Sequence, residues 1–254
     1  MRTLALATIF LGIVLLWPTG VVADVPSEPL PSCSSNMTYS QFEIRGDELR
    51  RVKRYEDAID CYEHALRKVP KSASLKNKIG IANLLRGKYN VAEQYFIDAS
   101  KLDKKNSEIL NNIGVIAYLN RNYGKAVKYY KKSLALDELS ASVHSNLGTA
   151  WFAQKKLDRA VAEFTRAIEL DPEVVLRSSQ GGVGARIASP EERAKYMYML
   201  AKLYAKRGDA ERCLLCLRKA KEEGYKKIYQ VYQDEEFAQL RQDPRLIEIV
   251  PPAQ

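Results

Sequence analysis

SEILNNIGVIAYLNRNYGKAVKYYKKSLALDELS, residues 107–140, carries the pattern that decides the fold. Leu110, Ile113, Gly114 and Ala117 share one face of a first helix, and Ala126, Tyr130 and Ser133 share one face of a second, by i, i+3, i+4 and i+7 spacing. The same ladder recurs 34 residues to either side. Gly46, Gly80, Gly114 and Gly148 head it; twelve residues on stand Ala58, Ala92, Ala126 and Ala160; sixteen on stand Tyr62, Phe96, Tyr130 and Phe164. Nine residues after each glycine come Tyr55, Tyr89, Tyr123 and Leu157. Residues 39–174 thus divide without insertion into units 39–72, 73–106, 107–140 and 141–174. A fixed period of this length marks a solenoid in which each unit leans on its neighbours. Such an array is usually a surface for holding something and rarely a site of chemistry.

Glycine inside a helix costs about 1 kcal/mol relative to alanine, so four in register need a reason. Without a Cβ the partner helix can approach closely. The alanines serve the same contact, and the Tyr or Phe fills the space beside it. Short polar turns join the helices: Arg86-Gly87-Lys88, Asn120-Arg121-Asn122 and Gln154-Lys155-Lys156. Val69-Pro70, Leu102-Asp103, Leu136-Asp137 and Asp171-Pro172 close the units.

These residues resemble the tetratricopeptide repeat (TPR) family, whose pattern runs W-x2-L-G-x2-Y…A-x3-F…P. The fourth unit shows it best, with Leu147-Gly148, Trp151, Ala160, Phe164, Ala167 and Asp171-Pro172. Arg45 departs from the leucine before the glycine, and no unit has the first tryptophan. The resemblance covers at least 136 of 254 residues. It implies an all-α, right-handed superhelical solenoid of helix-turn-helix repeats whose first helices line a concave groove for a peptide. In the family's frame Glu43, Asp47, Leu84 and Ser145 face inward, with Asn77, Lys78, Asn111, Asn112, Tyr118, Asn146 and Phe152, the candidate groove residues. An asparagine amide donates and accepts, so Asn112 and Asn146, 34 apart, can pair with any main chain. Tyr118 and Phe152 add apolar floor. Glu43 and Asp47 stand where chaperone-docking relatives need cations, which argues against a chaperone tail as ligand.

Beyond the array, residues 175–189 with Ser178-Ser179-Gln180-Gly181-Gly182-Val183-Gly184 suggest a Gly-rich loop. No strand precedes it and no Gly-Lys-Ser/Thr follows, so a phosphate loop is not indicated. Ser189-Pro190-Glu191-Glu192 opens a helix with cap, proline and acids in place. Leu200-Ala201, Tyr204, Gly208-Asp209, Cys213, Leu217 and Ala220 then fit the frame again, making 190–227 a divergent fifth repeat. Residues 228–254 are expected to form a helical cap and tail, with Phe237, Leu240, Leu246 and Ile249 covering the open apolar end.

The chain is 46 % hydrophobic and 28 % charged, which is globular composition. Residues 1–23 are the exception. Arg2 is the only charge before Asp24, Leu4 to Trp17 is apolar, and Val21-Val22-Ala23 offers small residues before a cleavage point. That is the layout of a secretory signal peptide, and residues 4–23 also equal about one bilayer span, so an uncleaved anchor stays open. Residues 24–38 form a Pro/Ser-rich leader containing the sequon Asn36-Met37-Thr38. Losing Arg2 takes the net charge from +9 to +8. The cations are spread over turns and helices as a solvated face, and nucleic acid is further disfavoured by the export signal.

No motif carries chemistry. His64 and His144 lie on different repeats without companion ligands, and no Ser-His-Asp, HExxH or Walker pattern occurs. Neither a metal, a cofactor nor a small-molecule substrate is expected. Cys213 and Cys216 have Cys-x-x-Cys spacing, but in mid-helix rather than at a helix start, with Cys213 on a core position. Four cysteines allow three pairings. With export in view, a Cys33–Cys61 disulfide tying leader to first repeat is favoured. The expectation is a non-enzymatic scaffold or adaptor, exported to the periplasm or cell envelope, that binds a protein or peptide. A membrane-tethered factor for envelope, pilus or polysaccharide export is one alternative, and a thiol–disulfide enzyme another.

Overall fold

The computed structural model describes residues 33, 34, 36–181 and 189–252; the expected signal segment 1–23 and most of the leader lie outside them. The described residues are helical throughout, without a strand. Four hairpins follow one another: α1 (Tyr39–Arg51) with α2 (Tyr55–Lys68), α3 (Ala73–Leu85) with α4 (Tyr89–Leu102), α5 (Ser107–Leu119) with α6 (Tyr123–Leu134), and α7 (Ala141–Ala153) with α8 (Leu157–Leu170). Each of α2, α4 and α6 packs on the first helix of the next hairpin, which gives the solenoid its continuity.

The register glycines have a direct steric role. A Cβ at Gly80, Gly114 or Gly148 would stand 2.5–2.7 Å from the ring of Phe96, Tyr130 or Phe164, and Gly46 meets Tyr62 in the same way. The aromatic ring therefore lies over the glycine itself, and Ala58, Ala92, Ala126 and Ala160 are fully buried beside these rings. Each first helix ends in a left-handed residue, and these too recur every 34 positions: Lys53, Gly87, Arg121 and Lys155, at φ 59–75°. The following N–H reaches back five residues, as in Asn122 N to Ala117 O at 2.8 Å and Lys156 N to Trp151 O at 3.0 Å. This is the Schellman arrangement, which satisfies the last carbonyls of the helix while reversing the chain. Thr38 and Gln41 form a capping box at α1, and Ser72 and Asn106 cap α3 and α5.

One expectation is corrected after Asp171. Instead of a loop from 175, helix α9 (Val174–Gly181) follows α8 and packs on α7 and α8. Val174, Val175 and Leu176 are buried, so tertiary packing outweighs the weak helix preference of the Ser-Ser-Gln-Gly run. Because α9 takes this place, α10 (Pro190–Lys206) touches α8 only lightly. With α11 (Ala210–Glu222) it forms a fifth hairpin that begins at the Ser189 cap and turns at Gly208, φ 79°. Two 3₁₀ turns, Ile228–Tyr232 and Glu235–Leu240, and α12 (Pro244–Ile249) then close the end. Phe237, Leu240, Leu246 and Ile249 are all buried there, and Lys221 Nζ donates to Ile249 O at 2.6 Å. No described helix is long and apolar enough to cross a membrane.

Candidate functional site

The inner-row asparagines meet one another. Asn146 Nδ2 donates to Asn111 Oδ1 (2.9 Å), Asn111 Nδ2 to Asn112 Oδ1 (3.5 Å), Asn112 Nδ2 to Asn77 Oδ1 (3.0 Å), and Asn77 Nδ2 to Glu108 Oε1 (3.1 Å). Four amides drawn from α3, α5 and α7 thus form one directional chain that ends on a carboxylate. Asn77, Asn112 and Asn146 are at most 9 % exposed, and only Asn111 is half-buried. These amides staple successive repeats, and each polarises the next. Offering them all to an external main chain would require breaking that ladder. A lag of 35 residues, one more than the repeat, sets two amides face to face, and a search for equal positions passes over it.

Lys78 is likewise engaged. Its Nζ lies 2.8 Å from Glu43 Oε1 and 2.6 Å from Asp47 Oδ2, while Tyr62 Oη donates to Asp47 Oδ1 at 2.7 Å. Burial would raise the Asp47 carboxyl, but the hydrogen bonds from Lys78 and Tyr62 and the neighbouring cations hold it below the usual carboxylate range. Burial depresses Lys78 less than its two carboxylate partners raise it. Glu43 and Asp47 therefore ion-pair across the first two repeats. Tyr118 is 4 % exposed, in the core against Tyr123 with centroids 5.2 Å apart, so it offers little groove floor.

Phe152 is different. It is half-buried, packs edge-on against Tyr196 at 5.4 Å, and lines a cavity of about 1290 Å³ between α8 and α10. The cavity exists because α10 stands off α8. One wall is Leu157, Val161, Thr165 and Ile168, one stripe of α8 by i, i+4 and i+3 steps. The opposite wall is Tyr198, Met199 and Leu203 on α10. Lys155, Lys206, Lys226 and Lys227 stand at the cavity without an ion pair among the described residues, whereas Lys195 is paired to Glu191 and Lys202 to Asp234 and Glu236. An apolar slot of this volume with a charged rim suits side chains of a polypeptide. Sequence reasoning reached only Phe152, because the offset of α10 depends on where α9 packs.

The cysteines separate into two kinds. Cys33 and Cys61 are joined by a disulfide across 28 residues, with Cα atoms 5.6 Å apart. Cys213 and Cys216 are free thiols with no exposed surface. Burial pushes the Cys216 thiol up to about 12 and raises Cys213 further still, with the neighbouring Cys216 adding to the rise. Reactive cysteines need a lowered value and access, and this pair has neither. His144 bridges Glu163 Oε2 (2.7 Å) and Glu138 O (3.1 Å), and the first of these contacts ties α7 to α8. Among the described residues no three His, Cys, Asp or Glu side chains could hold a metal together.

Similar proteins agree with this architecture. The family profile described as tetratricopeptide repeat matches residues 45–99, 80–141 and 112–174. A structure of pilF from Pseudomonas aeruginosa is 18 % identical at TM-score 0.55, covering 85 % of this chain and 93 % of its own. MamA (41-end) from Desulfovibrio magneticus RS-1 is 17 % identical at TM-score 0.52, covering 75 % and 97 %. The APC/C hetero-tetramer Cut9–Hcn1 is 15 % identical at TM-score 0.54, covering 84 % of this chain and 36 % of its own. At such identities the likeness is one of fold. No curated protein matches the chain. The 34-residue ladder, the ring over each register glycine and the matched profile together place this chain in the tetratricopeptide repeat family.

Proposed function

We propose that the protein is a non-enzymatic scaffold or adaptor that holds a segment of another polypeptide in the cavity between α8 and α10, at the end of the inner row marked by Phe152. The cavity itself carries this reading: its two apolar walls can take side chains, and its rim lysines can fix a main chain or carboxylates. The asparagine ladder stiffens the repeats that present it. Export to a periplasm or cell envelope is the favoured location, supported by the signal-like segment 1–23 and by the Cys33–Cys61 disulfide. A retained N-terminal anchor would make the same scaffold a tethered factor for envelope, pilus or polysaccharide-export assembly. The buried, high-pKa thiols of Cys213 and Cys216 count against a thiol–disulfide enzyme.

The test places a photo-crosslinking residue at Met199, inside the cavity, or at Ile44, an exposed site on α1. Adducts with a polypeptide that form from Met199 and not from Ile44, and are lost in Phe152→Asp, support the assignment. Equal adducts from both positions, or none from Met199, sink it.

A further inference from the structure

Trp151 on α7 is 6 % exposed, and three cations stand against its ring: Lys156 Nζ and Arg159 Cζ each 4.9 Å from the centroid, and Lys131 Nζ 5.5 Å. Lys131 comes from α6 of the third repeat, and the other two from the start of α8. No two of the three charges can be more than about 10 Å apart, within a Debye length at moderate salt. None forms an ion pair with an acid of the described residues, including Asp158, the one acid in the first turn of α8. All three side chains are exposed. Cation–π attraction favours each contact singly, but the like charges repel one another. Lys156 and Arg159 also sit where the helix dipole disfavours cations.

The other seams lack this arrangement. One repeat earlier the equivalent positions are Ile97, Ala117, Asn122 and Lys125, and there Lys125 is neutralised by Glu93 at 2.7 Å. The counterpart of Glu93 at the third seam is Val127, so the acid is missing where the cations are most numerous. One repeat earlier again stand Glu63, Asn83, Lys88 and Val91. Repulsion tolerated at a single seam points to an anion supplied from outside.

We propose that Lys131, Lys156 and Arg159, gathered against Trp151 where the third and fourth repeats meet, dock an acidic segment of a partner polypeptide through its carboxylates. Spread and exposed cations on long stems suit a row of carboxylates better than one compact anion. Alternate side chains of an extended chain are spaced about 6.6 Å apart, within the reach of this cluster. The ring is too enclosed to stack a nucleobase. The surface belongs to the second helices α6 and α8 and does not depend on the cavity.

The experiment uses the full chain with Trp17→Phe, which leaves Trp151 as its only tryptophan. Fluorescein-labelled hexaglutamate is titrated by anisotropy, with Trp151 emission followed in parallel and labelled hexaglutamine as control. Saturable binding of hexaglutamate alone, weakening with salt and reduced at least about tenfold in Lys156→Gln/Arg159→Gln, is expected. No binding, or equal binding of hexaglutamine, overturns the proposal. So does a loss that follows Lys206→Gln/Lys227→Gln instead, which would put the peptide in the cavity. Displacement of the peptide by inorganic phosphate at constant ionic strength and comparable concentration would overturn the polypeptide assignment. The substitutions are on exposed side chains, and unchanged circular dichroism checks that the variants fold.

Discussion

Gly114 lies directly beneath the ring of Tyr130: a Cβ there would be 2.6 Å from Cε1, closer than carbon atoms pack. This pair, repeated along the array, locks the two helices of a repeat together at one distance. Gly114→Ala should therefore destabilise by about 1–3 kcal/mol through overpacking, although alanine is the better helix former. Gly124 is the internal control, since a Cβ there meets nothing nearer than 4.0 Å. Gly124→Ala should be neutral or stabilise by about 0.5 kcal/mol. Thermal unfolding of both variants by circular dichroism decides; equal shifts would remove the steric account.

The left-handed residue that ends each first helix is glycine in the second repeat but arginine in the third. Arg121→Gly should stabilise by about 0.5–1 kcal/mol, because a non-glycine residue is strained at φ 59°. Gly87→Ala should destabilise by a similar amount at φ 75°, where a Cβ would meet nothing within 4 Å, so the backbone is the only cause. Urea midpoints of the two variants should move in opposite directions.

The amide ladder has a middle and an end. Asn112→Ala removes the acceptor of Asn111 and the donor to Asn77, so about 1–3 kcal/mol should be lost. Asn146→Ala removes only the terminal donor to Asn111 and should cost about 1 kcal/mol. Denaturation that ranks the variants the other way would show that the ladder is not formed in solution.

Acid should loosen the first two repeats through Asp47. Its folded pKa is lowered, so its contribution is complete above the ordinary aspartate range near 4 and is lost as pH falls through the depressed folded value. Asp47→Asn should be less stable than the wild type at neutral pH and converge on it in acid. A constant difference from neutral to acid pH would assign the loss to something other than charge.

Thiol chemistry separates the two cysteine pairs. Native protein should not react with a thiol reagent at neutral pH, because Cys213 and Cys216 are buried and Cys33 and Cys61 are bridged. Denaturant without reductant should expose two thiols. Prompt reaction of the folded protein would reopen the case for redox activity.

The repeat fold was legible in the sequence because periodicity is a one-dimensional signal. Glycine, alanine and an aromatic at fixed offsets describe a contact between two helices of one hairpin, and 34-residue recurrence describes the stacking of hairpins. The cap was legible for a related reason, since Phe237, Leu240, Leu246 and Ile249 are apolar residues after the last repeat with an open end to cover. The groove residues were legible as positions but not as partners. Asn77, Asn111, Asn112 and Asn146 stand on the inner row, yet only the pitch of the solenoid decides that a lag of 35 residues, not 34, brings amides into contact. In the same way Lys78 carries a positive charge in any reading, and only the approach of α1 to α3 gives it to Glu43 and Asp47. The cavity was out of reach altogether. It depends on Val174, Val175 and Leu176 burying α9 after α8 and so holding α10 away, a competition between two segments for one apolar face. Local spacing determines which helices form and which residues face inward. Which of those residues remain available to a partner is decided by contacts between segments far apart in the chain, whose energies no single stretch contains.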